Sequence, residues 1–318
     1  MVCLLQIGLL FQQLHYSQTQ AAAARVSLLC VGQQAILDAL LCIAHMLLCA
    51  MMQPLFVAFA SIAFFKLIMF CIFEMRYIIL IFQARQPQRF FEGGWTAMQR
   101  EMAALHGRFY ATLFMVLLGA YVLRGLLPGM VILLYSFWVP QIVSNVLRET
   151  RHSIHRTYLV GISASRLIIP LYIYGCPRNF VHLISDSYRP NYAQCAVLTL
   201  WMAAQVGIIL AQDRYGPHFF IPKGLLPPKY DYHRALPSGW GRDAEQAVTG
   251  TAGQASEEAR DMETGTSPEC AICYNAVDPT MEDYMITPCD HVFHEGCLVR
   301  WMEIKMECPT CRAALPPA

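Results

Sequence analysis

The last fifty residues of the chain carry a dense set of cysteine and histidine side chains. Thiolates and imidazoles are the ligands that structural zinc prefers, and each ion takes four of them in a tetrahedron. Eight such residues in four closely spaced pairs therefore predict two zinc sites. Disulfides are the alternative for clustered cysteines, but Cys-x-x-Cys pairs interleaved with histidine favour metal binding. The eight candidate ligands are Cys270, Cys273, Cys289, His291, His294, Cys297, Cys308 and Cys311.

The segment that holds these ligands is short, and we expect a small metal-dependent domain at 269–314. Because so few residues can bury only a little apolar surface, metal binding must supply much of the folding free energy. The preceding stretch, 238–268, is rich in Gly, Ala, Ser, Thr and acidic residues and has no apolar periodicity. This composition predicts a disordered tether.

A proline- and aromatic-rich segment at 213–237 precedes the tether. Its prolines at 222, 227, 228 and 237 forbid a continuous helix. We expect it either to pack on the membrane surface or the helical bundle, or to form an extended linker.

The remainder of the chain, residues 1–212, is apolar enough to lie in a membrane. Hydrophobic residues make up 56% of the chain and charged residues 14%, whereas about a quarter of a soluble domain is charged. A membrane-spanning helix needs about 20 mostly apolar residues. We predict a polytopic α-helical bundle with six spans and a marginal seventh at 1–14. The six are 27–50, 55–75, 109–126, 129–147, 158–176 and 193–212.

The arginines between the predicted spans set their orientation. The connections 83–108 and 148–156 carry most of them, and basic connections stay in the cytosol. With six spans or seven, the chain after the last span is then also cytosolic. The N-terminus has no basic region or cleavage site of a signal peptide. It begins within an apolar stretch, which we interpret as the end of a truncated span.

Charged residues inside a predicted span are costly and usually have a partner. Asp38 and Lys66 lie near the middle of consecutive antiparallel helices, so we predict an ion pair, with Arg166 as a competing partner of Asp38. The pair could be a structural clamp. Alternatively, the three residues and the nearby Gln33 and Gln34 line a groove that inspects other transmembrane segments.

The order Cys-Cys-Cys-His-His-Cys-Cys-Cys resembles that of a RING-H2 finger. This resemblance implies a cross-brace fold in which two zinc ions are held by alternating ligand pairs. It also implies docking of an E2 enzyme that carries thioester-linked ubiquitin. The first ion would be held by Cys270, Cys273, His294 and Cys297, and the second by Cys289, His291, Cys308 and Cys311.

Four positions match the residues by which RING domains bind and activate an E2. The resemblance assigns Ile272, Trp301 and Pro309 to the E2 contact. Arg312 corresponds to the linchpin arginine that bridges E2 and ubiquitin. The alternatives are that Ile272 and Trp301 fill a small core, that the proline shapes a zinc loop, and that the arginine is a solvated surface charge.

Four segments outside the zinc ligands resemble the polytopic RING ligases of the fungal Golgi Dsc complex and the plant Flying Saucer type. That resemblance implies an endomembrane ligase, in the Golgi or endosome, with membrane-protein substrates and possible further membrane subunits. Those proteins carry a large luminal region before the first span that has no counterpart here, so we expect a shortened sequence or a reduced form. The segments are IFEMRY (72–77), LLYSFWVPQIV (133–143), RLIIPLYIYGCPRNF (166–180) and FFIPKGLLPPKYDYH (219–233).

These observations together predict a membrane-embedded RING-type E3 ubiquitin ligase that transfers ubiquitin from an E2 to lysines of membrane proteins. The tether at 238–268 would let the RING reach lysines at varied positions. Two alternatives remain: a non-catalytic RING scaffold of a membrane complex, and a transporter or receptor with a regulatory zinc finger. No Lys/Arg tract indicates a nucleic-acid partner.

Overall fold

The computed structural model describes residues 1–85, 94–180, 189–220, 230–234, 269–278 and 283–316. It divides into two compact units, Met1–Leu226 and Pro227–Ala318, called here the helical unit and the C-terminal unit. The tether predicted at 238–268 lies outside the described residues. The proline- and aromatic-rich segment at 213–237 is described over 213–220 and 230–234.

The described part of the helical unit contains ten α-helices. Short 3-10 turns follow α3 and α6, and a π-helical turn, Met69–Glu74, joins α4 to α5. The helices are α1 (Val2–Tyr16), α2 (Gln20–Arg25), α3 (Leu28–Met51), α4 (Phe56–Ile68), α5 (Met75–Arg85), α6 (Gly94–Val122), α7 (Leu127–Leu134), α8 (Val139–Arg148), α9 (Arg156–Gly175) and α10 (Tyr192–Tyr215).

Five helical stretches in the described residues are long and apolar enough to cross a membrane, which confirms a polytopic helical bundle. A sixth is obtained if α7 and α8, which meet at a bend of 42°, form one broken span. α1 has 15 residues, and at 1.5 Å per residue it is shorter than the hydrocarbon core of a bilayer. The five stretches are Leu28–Met51, Gln53–Arg85, Gln99–Val122, Arg156–Gly175 and Tyr192–Tyr215.

The break between α7 and α8 is supported by a neighbouring helix. Pro140 lies in the first turn of α8, where its missing N–H costs no helical hydrogen bond. The side chain of Gln205 on α10 accepts from the Trp138 N–H at 3.2 Å and donates to the Tyr135 carbonyl at 3.0 Å. Inside a membrane, freed backbone groups must find such partners. The span predicted over 129–147 thus corresponds to two helices, α7 and α8, with a break between them.

Small residues let the helices of the bundle approach one another closely. A Cβ atom added to Gly161 on α9 would lie 2.6 Å from Cδ1 of Leu9 on α1. Such a distance is far inside van der Waals contact. Glycine is therefore the residue that allows α1 and α9 to pack at this point, and α1 belongs to the core of the helical unit.

The C-terminal unit contains a two-stranded antiparallel sheet and one helix among its described residues. β1 (Tyr284–Ile286) pairs with β2 (Val292–His294), and Met285 lies opposite Phe293. α11 (Glu295–Met302) follows directly. Ile286, Phe293 and Leu298 are at most 1% exposed and form the centre of a small apolar core.

Candidate functional site

The eight candidate zinc ligands of the C-terminal unit come together in two groups of four. Within each group the ligand atoms all lie within 4.8 Å of one another. Since zinc lies about 2.3 Å from sulfur and about 2.0 Å from nitrogen, a tetrahedral site separates such atoms by about 3.6 Å. The ligand atoms therefore fit one ion per group. The groups are Cys270, Cys273, His294 and Cys297, and Cys289, His291, Cys308 and Cys311.

Each group contains a thiol and an imidazole in close contact. Sγ of Cys273 lies 3.3 Å from Nδ1 of His294, and Sγ of Cys289 lies 3.3 Å from Nδ1 of His291. The groups also alternate along the chain, with the first and third ligand pairs in one group and the second and fourth in the other. This alternation is the cross-brace, and the prediction of a RING domain with two zinc sites is confirmed.

Two metal loops of the same geometry position the outer ligand pairs. The Tyr274 N–H donates to the Cys270 carbonyl at 2.7 Å, and the Arg312 N–H donates to the Cys308 carbonyl at 2.9 Å. Tyr274 and Arg312 both have left-handed backbones, with φ of 60° and 61°. Each chain segment thus turns tightly around its Cys-x-x-Cys pair, and the residue after the second cysteine absorbs the turn.

Thr287 supports the second group from behind, a role that the sequence reasoning missed. Its side chain is fully buried, and its Oγ1 lies 3.1 Å from Sγ of Cys289. Oγ1 also accepts from the His291 N–H at 3.1 Å. Such contacts orient metal ligands before the ion binds. A threonine two residues before a ligand is a weak sequence signal, because its role depends on burial.

The thiols of the first group differ in acidity. Burial raises the pKa of Cys270, but hydrogen bonds from the backbone of His294 and Cys273 outweigh it and lower the pKa to about 6. Burial and the neighbouring Cys273 sulfur raise the pKa of Cys297 to about 11. The crowded thiols therefore resist becoming thiolates together without a cation, and we expect zinc uptake to release protons.

The four candidate E2-binding positions lie on the metal loops and on α11. Ile272, in the first loop, is half-buried against the apolar core. Trp301 on α11 is half-buried, and its Nε1–H donates to the Glu307 carbonyl at 2.8 Å. Pro309 in the second loop is half-buried, whereas Arg312 is exposed. Their role in E2 binding stays a prediction.

Four charged residues of the helical unit form one buried cluster. The two carboxylate oxygens of Asp38 contact different cations, Nζ of Lys66 at 2.6 Å and a guanidinium nitrogen of Arg166 at 2.5 Å. The same Arg166 nitrogen lies 2.9 Å from Glu74. All four side chains are at most 2% exposed. Asp38 therefore holds both predicted cations at once, and the cluster brings two acidic side chains together with two basic ones.

Two members of this cluster were missed by the sequence reasoning. Glu74 lies at the end of the π-helical turn, and Gln6 on α1 accepts from Nζ of Lys66 at 2.7 Å. An acid within an apolar run is a usable signal for Glu74, whereas α1 had been assigned only as a marginal span. The predicted groove residues bond elsewhere: Gln33 donates to the Leu133 carbonyl at 2.7 Å, and Gln34 accepts from the Tyr158 hydroxyl at 2.9 Å.

Comparisons with known proteins agree with both parts of this architecture. The family model described as "Transmembrane E3 ligase/DUF2921 transmembrane domain" matches residues 1–225, and a ring finger domain model matches residues 268–312. The "Transmembrane E3 ubiquitin-protein ligase FLY2" of Arabidopsis thaliana is 42% identical over 319 residues, which cover 100% of this chain and 52% of that protein.

A fungal relative is similar over the same extent. The "DSC E3 ubiquitin ligase complex subunit 1" of Schizosaccharomyces pombe is 27% identical over 392 residues, which cover 99% of this chain and 52% of that protein. The chain thus spans about half the length of these relatives. No solved structure matches it. Because the family model matches most of its length, the chain belongs to the Transmembrane E3 ligase/DUF2921 transmembrane domain family.

Proposed function

We propose that this protein is a membrane-embedded RING-type E3 ubiquitin ligase. It would promote transfer of ubiquitin from an E2 to lysines of membrane-protein substrates. The observation that carries this proposal is the pair of interleaved zinc-ligand groups in a chain of this family. Two relatives from Arabidopsis thaliana that match the whole of this chain are named as transmembrane E3 ubiquitin-protein ligases.

The side chains of the C-terminal unit would act by positioning. Bound zinc ions would fix the two metal loops and supply folding free energy. Ile272, Trp301 and Pro309 then offer an apolar contact to the E2. The guanidinium of Arg312 would donate to both E2 and ubiquitin, a task that suits its rigid fork of donors. Holding the thioester in one orientation favours attack by a substrate lysine.

The experiment that tests this proposal is ubiquitin discharge from a panel of E2 conjugates by the full chain in lipid nanodiscs. We expect faster discharge with at least one E2, and loss of that acceleration in Ile272→Ala with two zinc ions retained per chain. Zinc-loaded wild type that accelerates discharge from no E2 would contradict the proposal. That outcome would favour a scaffold role.

We also propose that the RING faces the cytosol from an endomembrane, in the Golgi or an endosome. The arginine-rich connections at 83–108 and 148–156 support this orientation. The fungal relatives are named as subunits of a DSC E3 ubiquitin ligase complex, so we propose that this chain also assembles with other membrane subunits. Protease added to sealed vesicles should remove an epitope placed at the C-terminus.

For the intramembrane charges we propose the clamp rather than the groove. Asp38, Lys66 and Arg166 come from three different helices and are at most 1% exposed. A side chain so enclosed cannot meet a passing transmembrane segment without a rearrangement of the bundle. Their contacts, in contrast, tie α3, α4 and α9 together.

A further inference from the structure

Residues Tyr230–Arg234, called here the strap, pack on the core of the C-terminal unit. The ring of Tyr232 is 3% exposed and belongs to the same apolar core as Ile286 and Leu298. The Tyr232 carbonyl accepts from the Ile286 N–H at 2.8 Å. Its hydroxyl donates to the Pro316 carbonyl at 2.6 Å. The strap thus extends the edge of β1 and contacts the end of the domain.

The far end of the strap is held beside the second zinc group. The Arg234 guanidinium donates to the Thr287 carbonyl at 3.0 Å and forms an ion pair with Asp290. It also lies 5.8 Å from the centre of the Tyr230 ring, a distance at which cation and ring attract. Thr287 also contacts the zinc ligands Cys289 and His291. The strap therefore binds a residue that orients two ligands of the second group.

These contacts determine which residues connect the helical unit to the RING. Residues 235–268 join Arg234 to Glu269, and both of these lie in the C-terminal unit. On the other side, the chain after α10 is held by the helical unit, where the His218 ring lies 2.7 Å from the Val146 carbonyl. Among the described residues, nine positions of sequence, 221–229, separate those before them in the helical unit from the strap in the C-terminal unit.

We propose that the strap makes 221–229 the whole tether of the RING, so that ubiquitin is delivered to lysines close to the membrane surface. Fully extended, a connection of this length reaches about 35 Å. The thirty-four residues 235–268 would leave and return to the same domain and add nothing to that reach. The inference rests on the proposed ligase function, and it replaces the expectation that 238–268 acts as a long tether.

Matched insertions in the full chain test the tether without using ligase activity. A donor dye on a C-terminal peptide tag would report energy transfer to acceptor-labelled lipid headgroups in nanodiscs. About 30 Gly/Ser residues are inserted either between Leu225 and Leu226 or between Gly250 and Thr251. An insert of this size, rich in Gly and Ser, has a root-mean-square span of about 30 Å. We expect the first insertion to lower the transfer efficiency and the second to leave it unchanged.

A strap variant makes the test specific. In the double variant Tyr232→Ala/Arg234→Ala, the insertion between Gly250 and Thr251 should lower the transfer efficiency as well. His233→Ala is the control, because that side chain is about half exposed and its ion pair with Glu295 is 3.7 Å long. Two zinc ions per chain, measured in every variant, show that the RING is folded.

Equal loss of energy transfer from both insertions, with the strap intact, would overturn the proposal. Failure of the ligase function gives a different result, since discharge would be absent while the insertions still differ. If both proposals hold, the insertion between Leu225 and Leu226 also moves ubiquitin to acceptor lysines farther from the bilayer, and the matched insertion does not.

Discussion

The helical unit and the C-terminal unit bury ionisable side chains in opposite ways. In the helical unit, Asp38 and Glu74 face Lys66 and Arg166, so the charges are balanced within the protein. In the C-terminal unit, each group brings three thiols and one imidazole within 4.8 Å. Their thiolates need a cation from outside. The helical unit is therefore stabilised by ion pairs among its own side chains, and the C-terminal unit by the metal ions that it binds.

The two units should therefore lose their folded structures under different perturbations. A buried ion pair is most vulnerable to the removal of one partner, since an uncompensated charge is left behind. A metal domain is most vulnerable to loss of the ion.

Removal of zinc should unfold the C-terminal unit and leave the helical unit intact. Structural zinc supplies on the order of 10 kcal/mol of apparent binding free energy per site in small metal domains, more than this core of few residues can replace. Hydrogen exchange of the full chain, measured before and after chelation, should show full exchange at 284–302 and unchanged protection in α3 and α9. Protection that persists at 284–302 would contradict this dependence on metal.

Asp38→Asn should destabilise the helical unit by about 3–5 kcal/mol, because it leaves Lys66 and Arg166 with one carboxylate between them. Adding Lys66→Met restores the balance and should recover part of the loss. The charge swap Asp38→Lys/Lys66→Asp should not rescue, since it places a lysine beside Arg166. Denaturant unfolding in detergent measures all three. Glu295→Gln, at a half-exposed acid in the C-terminal unit, is the control.

A smaller effect is expected where α1 packs on α9. Gly161→Ala should cost about 1–2 kcal/mol, because the new Cβ overlaps the Leu9 side chain. Gly207→Ala is the matched control, since nothing lies within 4 Å of a Cβ atom there. The same unfolding measurement should show no loss for the control. In a Leu9→Ala background the overlap is absent, so Gly161→Ala should add no further loss there. A further loss would argue for another cause.

Local spacing made part of this molecule predictable from sequence. Each zinc ligand lies two or three residues from its partner in the chain, so the residue types and their spacing sufficed. Apolar runs likewise located the membrane helices, although Gln53–Arg85 extends well beyond the expected 55–75. Both signals are local, and neither depends on how distant elements pack.

The features that the sequence did not reveal depend on tertiary contacts. Glu74 faces Arg166 after a π-helical turn, and such a turn changes which residues share a helix face. The break at Tyr135–Trp138 is stabilised by Gln205, nearly seventy residues away. Tyr232 meets Ile286 across more than fifty residues, so the strap resembled a linker until its partner was known.

The ligase proposal is tested by substitution of Arg312 in the full chain, in nanodiscs and with two zinc ions bound. Arg312→Ala should slow ubiquitin discharge about 10- to 100-fold, the equivalent of about 1.5–3 kcal/mol for hydrogen bonds to a charged group. Affinity for the free E2 should change little, and Arg300→Ala, at an exposed arginine on α11, should discharge at the wild-type rate. Discharge that is unchanged in Arg312→Ala, or lost equally in both variants, would contradict the assigned role.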